Sequence, residues 1–164
     1  MRPAVILLSG GLDSATAAAL LRKNFRLHAL SFRYGQRHAV EIAAAKRVAR
    51  SLGIRDHRVV NLDLAAFGGS ALTDRRIAVP KKRRIGKGVP STYVPARNTV
   101  FLAIAAAFAE TVGAKDLIVG FNVLDYSGYP DCRPKFIRAF ETVLGEGTKT
   151  GKGWHIHAPL LRMT

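Results

Sequence analysis

The chain has 164 residues, 48% of them hydrophobic and 23% charged, which fits one globular domain with a buried core. Lys and Arg number 26 against 11 Asp and Glu, and the resulting formal net charge of +15 favours anionic partners such as nucleotide phosphates, RNA or an acidic protein. Cys132 is the only cysteine, which excludes a disulfide framework and a four-cysteine zinc site within this sequence, and no apolar run, the longest being Val100 to Ala109, approaches the ~20 residues of a membrane span.

The N-terminus reads as Arg2, a short β-like run and then glycines. It carries no signal-peptide pattern, so the cytosol is the expected compartment. Ala4 to Leu8 is a continuous apolar run, as expected for a strand buried on both faces of a parallel sheet. Ser9 to Ser14 reads as a loop, and Ala15 to Lys23, rich in Ala and Leu, as a helix. Leu27 to Phe32 is the second predicted strand, Arg37 to Leu52 a helix ended by Gly53, and His57 to Leu62 the third strand.

The rhythm then breaks. A short helix is expected near Leu64 to Leu72, followed by a basic loop that contains Lys81-Lys82-Arg83-Arg84. Asn98 to Val112 is a nearly all-apolar helix ended by Gly113, with Asn98 as its candidate N-cap. Asp116 to Gly120 reads as a fourth strand, Phe121 to Arg133 as a polar loop, Pro134 to Leu144 as an amphipathic helix, and His155 to Leu160 as a fifth strand. The expected fold is α/β: a doubly wound, mostly parallel sheet of about five strands with helices on both faces, in one domain over residues 1–164.

The string Ser9-Gly10-Gly11-Leu12-Asp13-Ser14 lies at the first strand-to-helix turn, where nucleotides dock on such sheets. Glycines let the backbone approach a phosphate, and the free N–H groups at the positive end of a helix hold the anion. Ser9 and Ser14 add hydroxyl donors. Asp13 would repel a bare phosphate, so it is expected to act through Mg²⁺. A Ser/Gly turn with an Asp helix cap is the plainer account of the string, but its place in the topology favours phosphate binding. The string lacks the Gly-Lys-Ser/Thr ending of a Walker loop and the spacing of a dinucleotide fingerprint. It resembles the PP-loop of ATP-pyrophosphatases.

Three other segments carry polar groups to the same sheet edge. Phe32-Arg33-Tyr34-Gly35-Gln36-Arg37-His38 follows the second strand and offers Arg33, Arg37 and His38 to phosphates or a carboxylate. In Val94-Pro95-Ala96-Arg97-Asn98, Arg97 stands at the mouth of an apolar helix, where a buried guanidinium needs a phosphate or an Asp as partner. Asp125 to Arg133 follows the fourth strand with two carboxylates, two tyrosines and an arginine. A carboxylate there can accept the paired N–H donors of a guanine-like base, with Asp131 the first candidate and Asp125 the second, while Tyr129 can stack on its face. Cys132 reads as a small buried residue.

Together these four strings, above all Tyr34-Gly35-Gln36-Arg37-His38 and Ser127-Gly128-Tyr129-Pro130-Asp131-Cys132-Arg133, resemble the 7-cyano-7-deazaguanine synthase family, and the resemblance spans essentially the whole chain. It implies a Rossmann-like fold of the adenine-nucleotide alpha-hydrolase kind and an ATP-dependent carbon–nitrogen ligase. The implied substrate is 7-carboxy-7-deazaguanine, which ammonia and ATP convert to the nitrile through adenylated intermediates in queuosine precursor synthesis. It carries Ser9, Gly10, Gly11, Asp13 and Ser14 over as the ATP loop, which also contains Leu12. From the reading of the segments themselves, Asp13 and Arg97 are the expected catalytic residues, and Arg37, His38, Asp125, Tyr129 and Asp131 the expected substrate contacts. The resemblance further implies a homodimer, and a zinc-binding cysteine cluster beyond Thr164 whose ligands are not in this sequence, so that a separate C-terminal subunit is also conceivable. Two other readings compete: a PP-loop protein acting on RNA through Lys81 to Lys87, and an ATP-binding subunit without turnover of its own.

Overall fold

A computed structural model describes residues 1–35, 40–73, 76–77, 89–122 and 128–163. Five strands, β1 (Arg2–Leu7), β2 (Phe25–Arg33), β3 (His57–Asn61), β4 (Asp116–Ile118) and β5 (His155–His157), form one sheet in the order β3-β2-β1-β4-β5, and every neighbouring pair is parallel. Among the described residues four helices accompany them: α1 (Leu12–Leu21), α2 (Val40–Ser51), α3 (Arg97–Val112) and α4 (Pro134–Gly147). Parallel strands need crossover connections, and the helices supply them while covering both faces.

Alternation along β1 shows how the sheet is buried twice. Ala4, Ile6 and Leu8 enter one core cluster with Ala17 and Ala18 of α1 and Ala45 and Ala49 of α2. Val5 enters the other, with Leu102, Ala105 and Phe108 of α3 and Ile137, Phe140 and Leu144 of α4. Alanines on α1 and α2 let those helices lie close to the sheet, whereas the aromatic and leucine side chains of α3 and α4 fill a thicker layer.

Several boundaries differ from the sequence-based expectation for local reasons. Helix α1 opens at Leu12, inside the expected loop, because Gly11 takes an extended cap conformation and the Ser14 hydroxyl donates back to the Gly11 carbonyl at 3.1 Å. Strand β5 stops at His157, since Pro159 begins a 3-10 turn over Pro159–Arg162. Helix α4 runs on to Gly147. There Thr148 donates its hydroxyl to Leu144 O at 2.6 Å and accepts the Trp154 indole N–H at 2.9 Å, which ties off the end. The expected short helix after β3 is a single 3-10 turn, Ala65–Phe67. The basic cluster Lys81–Arg84, Arg37, His38 and Asp125 lie outside the described residues. Among those described, no helix is long and apolar enough to cross a membrane.

Candidate functional site

The strand order reverses direction at β1, which has β2 on one side and β4 on the other, so the carboxyl ends of β1 and β4 form the switch-point crevice of a doubly wound sheet. A cavity of about 340 Å³ opens there, lined by Ser9 to Ser14 (except Gly10), by Val119, Gly120 and Phe121 after β4, and by Arg97 and Phe101 of α3.

The loop is closed by its own hydroxyls. Ser14 Oγ accepts the Ser9 N–H at 3.2 Å, the two serine oxygens lie 3.0 Å apart, and Ser9 Oγ accepts the Gly11 N–H at 3.3 Å. The N–H groups of Leu12, Asp13 and Ser14 head α1 and have no acceptor within the helix. Gly10 sits at φ +84°, where a side chain is strained, and a Cβ would lie 2.4 Å from Glu41 O and 2.6 Å from Ala45 N. The loop is therefore pressed against α2. Gly120 plays the same part on the other side: a Cβ there would meet Ser14 N at 2.7 Å. Sequence reasoning missed Gly120, although a glycine at the end of the fourth strand was a usable signal.

Asp13 is half-buried, and the Asn122 amide donates to its Oδ2 at 2.9 Å. This bond fixes the carboxylate beside the loop's N–H groups. Asn122 was also missed, because only the fold brings it to Asp13.

Across the cavity, Arg97 Nη1 donates to the Tyr34 hydroxyl at 3.3 Å. Its guanidinium lies over the rings of Tyr34 and Phe101, at 5.8 and 6.0 Å from their centroids. Phe101 in turn stacks on Phe32 at 4.0 Å, so a rigid aromatic wall backs the cation. Burial opposes the charge on Arg97, but Tyr34, Asp131 and Cys132 outweigh it and hold its pKa above the usual guanidinium value. Among the described residues no carboxylate makes an ion pair with Arg97, and its hydrogen-bond partner within the chain is the Tyr34 hydroxyl. Arg33 points elsewhere, its guanidinium 3.5 Å from Asn61 Oδ1 on the surface.

Asn98 is not the cap of α3. Ala96 occupies that position at φ +51°, and Asn98 is the second residue of the helix, with its N–H bonded to Asp131 Oδ2 at 3.0 Å and its amide to Cys132 Sγ at 3.1 Å. Tyr129 and Cys132 line the cavity; Asp131, 5% exposed, directs its carboxylate at the start of α3. Tyr129 shares a 2.8 Å hydrogen bond with Thr92 and stacks near Tyr93. Cys132 is buried, as expected.

A donor set of helix-head N–H groups, the Ser9 hydroxyl and a facing guanidinium suits a polyphosphate. One carboxylate at its edge suits a cation that the phosphates also ligate. Among the described residues no group of three His, Cys, Asp or Glu stands ready to hold a metal by itself. Fold and site together define a doubly wound nucleotide-binding domain of the PP-loop type.

Comparison with known proteins narrows the class. The family described as "Queuosine biosynthesis protein QueC" matches residues 3–164. The 7-cyano-7-deazaguanine synthase of Anaeromyxobacter sp. is 61% identical over 168 residues, covering 98% of this chain and 72% of the relative. That of Paramagnetospirillum magneticum is 58% identical, covering 100% and 75%. The chain belongs to the QueC family of 7-cyano-7-deazaguanine synthases. Among solved structures, the predicted subunit of tRNA methyltransferase from Methanocaldococcus jannaschii superposes with a TM-score of 0.61 at 19% identity, over 100% of this chain and 70% of that one. NMN synthetase from Francisella tularensis gives 0.56 at 18% identity, over 99% and 56%. Both share the fold.

Proposed function

We propose that this protein converts 7-carboxy-7-deazaguanine and ammonia to 7-cyano-7-deazaguanine at the expense of ATP. The observation that carries this reading is the pairing, across one cavity, of the Ser9–Ser14 loop with Arg97. The carboxylate oxygen of the substrate attacks the α-phosphorus of ATP, and pyrophosphate leaves. Ammonia then attacks the acyl carbon, AMP leaves, and loss of a proton gives the amide. The amide oxygen attacks the α-phosphorus of a second ATP and a second pyrophosphate leaves; departure of AMP with the remaining N–H protons then gives the nitrile.

The chain's own residues account for the phosphate chemistry. The N–H groups of Leu12, Asp13 and Ser14 and the Ser9 hydroxyl hold the β- and γ-phosphates, and the Gly10–Gly11 backbone, without side chains, admits them. Asp13, oriented by Asn122, would hold Mg²⁺, which would supply positive charge to the departing pyrophosphate. Arg97 neutralises charge that develops on the phosphates as pyrophosphate leaves, and donors preorganised in this way are worth about 10²–10³ in rate. Tyr129 stacks on the deazapurine, with Arg37, His38 and Asp125 proposed as further contacts. The enzyme is a carbon–nitrogen ligase that forms AMP and pyrophosphate.

The test is a coupled assay with ATP, ammonium and the carboxy-deazapurine. AMP and pyrophosphate are expected in step with nitrile, and only when all three reactants are present. ATP turnover indifferent to the deazapurine would overturn the proposal.

A further inference from the structure

Helix α3 has no cap of its own: Ala96 has no side-chain oxygen and sits at a strained φ of +51°. The acceptor comes from 33 residues away, where Asp131 Oδ2 takes the Asn98 N–H at 3.0 Å. The neighbouring Cys132 Sγ takes the Asn98 side-chain amide at 3.1 Å. One 3-10 turn, Pro130–Cys132, thus grips residue 98 by backbone and side chain. Arg97 is the residue before it, and its guanidinium lines the cavity. Asp131 Oδ1 is buried with no hydrogen-bond partner among the described residues, so the carboxylate is not fully satisfied by the cap. A buried anion in that state is tolerated only beside compensating positive charge, which the head of α3 and Arg97 supply.

We infer that Asp131 is a positioning residue: it anchors the first turn of α3 and thereby aims Arg97 into the cavity, without touching the deazapurine. This rests on the reading of the cavity as the ATP site. It also replaces base recognition as the expected role of Asp131, because the carboxylate faces the helix while its neighbours Tyr129 and Cys132 face the cavity.

The test uses the whole chain with Asp131→Asn, which keeps an oxygen for the Asn98 N–H but removes the charge, and Asp131→Ala, which removes both. MgATP affinity is read by calorimetry, the KM for the deazapurine by assay, and the Asn98 amide by hydrogen exchange. Asp131→Ala should weaken MgATP about tenfold, a lost cap plus a lost counter-charge, with Asp131→Asn in between. The Asn98 amide should lose protection in Asp131→Ala and keep it in Asp131→Asn. Adding Asp131→Asn to Arg97→Ala should cost nothing further, since the first acts through the second. Full additivity, or a selective rise in the deazapurine KM with MgATP affinity intact, would overturn the inference. Should the wild type bind no MgATP, the ATP reading fails by itself. The NMR signal of the Arg97 side-chain N–H then decides: a shift in Asp131→Ala supports positioning, and an unchanged signal refutes it.

Discussion

Asn122 donates to Asp13 Oδ2 at 2.9 Å, joining the segment after β4 to the first turn of α1. The bond restrains a carboxylate that would otherwise rotate away from the loop, and so it prearranges the proposed cation site. Asp13→Ala should lower pyrophosphate release by about 10²-fold or more, the scale of losing a preorganised charge partner at phosphoryl transfer. The thermal midpoint should barely move, because the side chain is half-exposed and outside both core clusters. Asn122→Ala should give a smaller loss that extra Mg²⁺ partly restores. Unchanged pyrophosphate release in Asp13→Ala would remove the residue from the chemistry.

The contact between Gly120 and Ser14 leaves no room for a methyl group. Gly120→Ala places a Cβ 2.7 Å from Ser14 N and 2.8 Å from Ser14 Cα, both backbone atoms of a helix start that cannot swing aside. Overpacking of this kind costs about 1–3 kcal/mol. The strain should fall on the loop, so the KM for ATP should rise along with the drop in stability. A variant with normal unfolding and normal ATP kinetics would mean that β4 and α1 can separate without consequence.

Ala96 at φ +51° gives a substitution pair of opposite sign. Ala96→Gly removes the steric cost of the left-handed backbone, although it also loosens the unfolded chain, for a net gain of up to about 1 kcal/mol. Ala96→Val adds a β-branch there and should destabilise by about 1–2 kcal/mol. Urea unfolding of both variants checks the signs. Equal stabilities would show that the turn before Arg97 relaxes freely.

The loss of stability in mild acid should pass through His57. Burial, helped by the Lys46 charge, holds its pKa below the ordinary 6.5 against the opposing pull of Asp56. Its Nε2 lies 2.8 Å from Ser31 Oγ, whose hydroxyl donates to Leu8 O, so the neutral ring donates to Ser31. The unfolded chain therefore binds the proton more readily. The His57 contribution is full above pH 6.5 and declines as pH falls from there through the lower folded pKa. Asp56, whose pKa lies below 3.8 chiefly through its bond to His28, adds a second decline at more acid pH. Denaturant unfolding between pH 7.5 and about 5 should show the first slope, and His57→Gln should flatten it.

How much of this could be read in the chain depends on the range of the interaction. The run Ala4 to Leu8 announced a doubly buried strand because its neighbours on both faces are apolar whatever they are, and the loop after it was legible from Gly10 and Gly11. The place of Arg97 at a helix mouth was equally local. Its partner was not: the Tyr34 hydroxyl comes from 63 residues away and is a neutral group, while the sequence pointed to charges. The bond from Asn98 to Asp131 was hidden for the same reason. Two carboxylates among tyrosines look like a base-reading loop, and nothing near position 131 reveals that α3 starts beside it with an unprotected N–H. The early start of α1 at Leu12 was hidden by the same Gly-rich composition that made the loop recognisable.

Strand β1 is hydrogen-bonded along one side to β2 and along the other to β4, and the phosphate loop begins where it ends. No hinge separates the loop from Ala4, Val5 and Ile6, which are fully buried. Amides of Val5 and Ile6 should then exchange with solvent only when the whole domain opens, and the loop should belong to that same cooperative unit. Anything gripped by the loop biases the global folding equilibrium and not a local one. At a hundredfold excess over Kd, such a ligand raises the unfolding free energy by about 2.7 kcal/mol. A simple melting curve therefore reads occupancy of this site directly, without turnover and without a second substrate.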